Sequence, residues 1–103
     1  MSSRDFQFHD GESGAALAVR LVRRKGASKI TKIKKDGTVV LSCGPDIQDM
    51  ETDVINFFAE LLGIKSGKVT VIAGQNRSEK LLSFIDIDPE TVQKIVVQKL
   101  SEN

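Results

Sequence analysis

The chain has 103 residues, room for one domain with one core, and a domain of this size buries roughly two-thirds of the surface its unfolded chain exposes. Fifteen basic against fourteen acidic residues leave a formal charge of +1, so bulk attraction to nucleic acid or membrane is not implied. With 40% hydrophobic and 28% charged residues the composition is globular, and five Phe with no Trp or Tyr leave little to stack on bases.

Cys43 is the only cysteine, which excludes an intramolecular disulfide framework, and His9 is the only histidine. No run of 18 apolar residues occurs and the first fourteen residues are too polar for a signal peptide. The expected setting is therefore cytoplasmic, with no membrane partner. Residues 1–14 are expected to form a polar tail and a short strand, and residues 15–103 one α+β domain.

Along the chain, "FQFH" at 6–9 alternates and is expected to pair beside the next strand. In "AALAVRLVR" at 15–23, Leu17, Val19 and Leu21 share one face while Ala18, Arg20 and Val22 share the other. Period two of this kind marks a strand with one buried face. "KITKIKKDGTVVLSC" holds a hairpin signal, because Asp36-Gly37 supplies the positive-φ residues of a tight turn between β-branched runs. Gly44-Pro45 closes that strand, since Pro45 cannot donate to a ladder.

From about Asp49 to Leu62 the period changes: Met50, Val54, Phe57, Phe58 and Leu61 form one helical stripe. Acids gather at its start, where they favour the positive end of the helix dipole, and Gly63 follows as a C′ residue. Strands are expected at Lys68 to Ala73 and Leu81 to about Ile87. Asp88 then caps a last helix with Pro89 at its first position, and Val92, Ile95, Val96, Lys99 and Leu100 line one side. The expected fold is a two-layer sandwich, β-β-α-β-β-α, with a mixed four-stranded sheet and two helices on one face. The first helix is the crossover that permits a parallel contact.

"KGASKI" at 25–30, "SCGP" at 42–45, "FFAELLGIKSGKVTVIAG" and Lys80 together resemble the YggU-like family of small uncharacterised proteins. The resemblance runs from about Ala15 to the end and implies a two-layer α+β fold with a mixed four-stranded sheet. It implies no reaction or substrate. The family's double proline before the helix is a single Pro45 here, its asparagine falls on Glu51, and its Ser-Arg pair stands reversed as Arg77-Ser78.

Three places carry groups able to bind something. The tip "GQNRSEK" at 74–80 offers amides, a hydroxyl and the cations Arg77 and Lys80, all useful toward phosphate oxygens. No phosphate-loop spacing is present and the chain continues into a strand rather than a helix, so the tip reads first as a polar hairpin connection. The stretch "RLVRRKGASKITKIKK" at 20–35 holds eight of the fifteen basic residues and no acid. Arg20, Arg24, Lys25, Lys29, Lys32 and Lys34 are its candidates for a phosphate-following stripe on an open sheet face. The ordinary alternative is a solvated face with lysines that protect a sheet edge.

Asp46, Asp49 and Asp53, with Met50, mark the start of the first helix as a possible protein-contact patch. A metal site there is disfavoured, because the spacing fits no calcium loop and acids at a helix start have a structural reason. Cys43 shares the apolar side of its strand with Val39 and Leu41, without a base to activate it. The expectation is a non-enzymatic binding module with no cofactor and no metal, whose first partner is RNA or a nucleoprotein. The alternatives are a protein-interaction module and, below it, a metal-assisted phosphate hydrolase.

Overall fold

The longest alternating run becomes the middle of the sheet. A computed structural model describes residues 4–7, 13–44 and 49–102. Its elements are β1 (Arg4–Gln7), β2 (Ser13–Arg23), β3 (Lys29–Ile33), β4 (Val39–Cys43), α1 (Met50–Leu62), a 3-10 turn (Ser66–Lys68), β5 (Val69–Ala73), β6 (Glu79–Ile85) and α2 (Pro89–Glu102). His9, Pro45 and Asp46 lie outside the described residues.

The strands form one mixed sheet in the order β3-β4-β2-β6-β5, with β1 attached to β2. The α+β class and the two helices are as expected; the count of four strands is too low. Two strands hold marginal places in the sheet. β1 covers only the first part of β2, from Ser13 to Ala16, while β4 takes the same edge from Val19 to Arg23. β3 is an edge strand in which only Ile30 is fully buried, and its lysines suit an edge exposed to water.

The single parallel pairing also arises differently. It joins β2 to β4, because the β3–β4 hairpin folds back and inserts β4 beside β2. α1 instead carries the chain from β4 across to β5 at the far edge, and β6 returns antiparallel to the centre.

Leu17, Val19 and Leu21 are buried and Ala18 and Arg20 exposed, as alternation requires. Against this face α1 places Val54, Phe58, Ala59 and Leu62, and α2 places Val92 and Val96. Phe58 meets Phe84 of β6 at a ring distance of 6.0 Å, tying α1 to the sheet centre. α1 stops at Gly63 in the left-handed conformation (φ 69°), where the Ile64 N–H reaches back to the Ala59 carbonyl at 3.0 Å. α2 starts where Asp88 accepts from the Thr91 N–H at 2.8 Å and from its hydroxyl at 2.9 Å.

Candidate functional site

Strand register brings three distant segments to one end of the molecule. Val19 pairs with Lys80, and the Leu21 N–H donates to the Ser78 carbonyl at 2.7 Å, so the β5–β6 tip stands beside the last residues of β2. The Arg77 N–H closes the tip on the Gly74 carbonyl at 2.9 Å, with Asn76 left-handed at φ 63°. Gly74 is demanded here on two grounds. Its φ is +84°, and a Cβ would lie 2.0 Å from the Glu79 carbonyl oxygen.

α1 begins facing this tip. Asp49 caps it, accepting from the Thr52 N–H at 3.0 Å and the Thr52 hydroxyl at 2.7 Å. Those bonds, the backbone one first, hold the Asp49 carboxyl below its usual range. Between tip and helix lies a cleft of about 400 Å³ lined by Leu21, Arg23, Asp49, Met50, Glu51, Asn76, Arg77, Ser78 and Lys80. It opens at the carboxyl end of β2, between the β5–β6 tip and the start of α1.

The polar groups of the cleft are unevenly used. Lys80 is a strand residue turned to the helix side, its side chain only 3% exposed. Its Nζ lies 3.1 Å from the Gly74 carbonyl oxygen and 3.8 Å from Glu51 Oε1. Glu51 Oε1 is itself buried without a hydrogen-bond partner. Asn76, Arg77 and Ser78 are exposed, and among the described residues none has a side-chain hydrogen bond. Arg23, on the Leu21 side of β2, completes the lining.

The sequence-nominated cations divide. Arg77 and Lys80 line the cleft, and Arg24 and Lys25 are exposed just past the end of β2 beside it. Arg20 is on the opposite sheet face, bound to Glu79 at 2.8 Å. Lys29 and Lys32 also belong to that face, because an irregularity at Thr31 lets Lys29 pair with Ser42 and Lys32 with Val40. Lys34 sits at the far end, beside the Asp36-Gly37 turn.

Among the acids, Asp49 is the cap, and Asp53 accepts from the Ser28 hydroxyl at 2.9 Å. Met50 packs partly buried against the core. No group of three or more metal-ligating side chains occurs among the described residues. Cys43 is fully buried in the core, and burial first, then the neighbouring Asp53 carboxylate, pushes its thiol up to about 11. A thiol so placed is inert.

Two members of the cleft were missed from sequence. Arg23 shares the parity of Leu21, a signal that was present. Glu51 stood out only as a departure from the resembled family, and only the fold sets it against Lys80. The tip looked ordinary because no helix follows it in the chain, whereas the helix start it faces is that of α1, which precedes it. Compared with models of protein families the chain matches none, and no curated protein matches it.

Proposed function

We propose that the protein is a non-enzymatic module that binds nucleic-acid phosphates, RNA foremost, at the end of the sheet where the cleft opens. The observation that carries this reading is the pairing of a buried Lys80 and an exposed Arg77 in the lining of one cleft of about 400 Å³. A lysine is rarely buried unless paired; here the Gly74 carbonyl at 3.1 Å and Glu51 Oε1 at 3.8 Å hold it, and its three N–H groups leave capacity for a further acceptor. Arg24 and Lys25 extend positive charge from the cleft along the path a backbone would take. Lys29 and Lys32 continue it on the other face, while Glu79 offsets Arg20.

A divergent YggU-like domain is part of this proposal. Lys80 and the departing positions Glu51, Arg77 and Ser78 all line the same cleft, and the Gly74 carbonyl holds Lys80 there. The protein-contact alternative has less support, since Asp49 and Asp53 are engaged by Thr52 and Ser28.

The test is fluorescence anisotropy with a labelled single-stranded oligoribonucleotide as KCl is raised from about 50 to 200 mM. Binding that falls steeply with salt and varies little with base sequence is expected. No binding at the lowest salt overturns the proposal.

A further inference from the structure

We propose that Glu51 reads the ribose of an RNA nucleotide seated in the cleft, accepting a hydrogen bond from its 2′-hydroxyl while Lys80 and Arg77 hold the adjoining phosphate. This rests on the nucleic-acid reading above and adds to it a preference for RNA over DNA. Glu51 lines the cleft with its side chain 35% exposed, while its inner oxygen Oε1 makes no hydrogen bond and has the Lys80 ammonium as its ion-pair partner at 3.8 Å. A carboxylate takes only O–H or N–H donors, so the complement of its open side is a hydroxyl or an amine. Phosphate oxygens only accept and cannot supply it.

On ribose the 2′-hydroxyl and the 3′-phosphate sit on neighbouring carbons. In the cleft a hydroxyl acceptor and a phosphate donor sit side by side likewise, the Glu51 carboxylate and the Lys80 ammonium, 3.8 Å apart at their nearest atoms. Lys80 has three N–H groups and uses one on the Gly74 carbonyl. Its charge also offsets that of Glu51, so the carboxylate does not by itself repel the phosphate. A cleft of about 400 Å³ holds one nucleotide and not a duplex, which makes the ligand single-stranded. The 2′-hydroxyl is present whatever the base, so recognition is of the sugar and not of sequence.

The test compares three labelled probes of one sequence on the full chain: single-stranded RNA, the same strand as DNA, and the 2′-O-methyl RNA, which keeps the oxygen and loses the donor. RNA is expected to bind about tenfold tighter than either of the others, the effect of one hydrogen bond to a charged group. Glu51→Ala should bring the three affinities together. Equal binding of the three probes by the wild-type protein overturns the ribose assignment and leaves the phosphate reading standing. So does Glu51→Ala tightening all three alike with the RNA preference kept, which would mean that Glu51 only repels phosphate. Binding of none of the probes overturns both. The wild-type comparison needs no variant and decides the matter even if Glu51→Ala folds poorly.

Discussion

The two hairpins of this protein turn on similar devices and leave their polar groups in opposite states. In the β3–β4 turn, Lys34 and Thr38 bond through N–H and carbonyl at 2.8 Å, the Gly37 N–H reaches the Lys34 carbonyl at 2.9 Å, and Asp36 accepts from the Thr38 N–H at 2.9 Å. Its backbone groups and the Asp36 carboxylate are consumed by the turn itself. In the β5–β6 tip the backbone is closed on Gly74, yet Asn76, Arg77 and Ser78 spend no side-chain hydrogen bond on the fold. A turn that satisfies itself makes structure; one that holds its donors over a cleft beside a helix start is available for a ligand.

The sharpest way to break this comparison is at Gly74. Gly74→Ala combines an unfavourable φ with a clash against the Glu79 carbonyl, and a stability loss of about 3 kcal/mol by urea denaturation is expected. RNA binding should fall with it, because Lys80 is anchored on the Gly74 carbonyl. A mild loss would mean that the tip tolerates other geometries and does not preset the cleft.

Lys80→Met and Arg77→Ala together separate binding from folding. The lysine and methionine side chains are similar in volume, but the Gly74 carbonyl and Glu51 Oε1 lose their partner, so stability should fall by about 1–3 kcal/mol while RNA affinity of the folded protein drops at least tenfold. Arg77→Ala, at an exposed residue without partners, should leave stability within about 0.5 kcal/mol and weaken RNA binding about tenfold. Unchanged affinity in both would remove the tip from the site.

The smallest effect belongs to the other hairpin. Asp36→Ala should lower the melting temperature slightly and leave RNA binding alone. The Thr38 N–H, then its hydroxyl, holds the Asp36 carboxyl below its usual 3.8. A depressed folded value means that the unfolded chain binds the proton more readily. The stabilisation is therefore complete above about pH 4 and is lost as the pH falls through the depressed value. Thermal melts of wild type and Asp36→Ala should converge in that acid window. Asp49 and Asp88, capped on Thr52 and Thr91, will still make both proteins acid-sensitive.

Much of the scaffold was legible because local physics decided it. Alternation oriented Leu17, Val19 and Leu21, Asp36-Gly37 marked the first turn, Asp88-Pro89 marked α2, and Gly63 marked the end of α1. Which of the alternating runs share one sheet, and the parallel pairing, were not legible. They depend on β4 inserting between β3 and β2, a choice made by long-range pairing that periodicity does not encode. Lys80 misled for a related reason. A lysine beside a polar tip looks like loop, yet it belongs to β6 opposite Val19 and turns inward toward Glu51. Half of the candidate cations were placed on other surfaces by the same register.

The most direct test is an NMR titration of the labelled protein with a single-stranded oligoribonucleotide, reading backbone amide shifts along the chain. The account predicts that the largest changes fall on Arg23, on Met50 and Glu51 at the start of α1, and from Gly74 to Lys80, with the turn from Lys34 to Thr38 unmoved. Shifts concentrated on Lys29, Lys32 and the β3–β4 turn, with the β5–β6 tip silent, would contradict it.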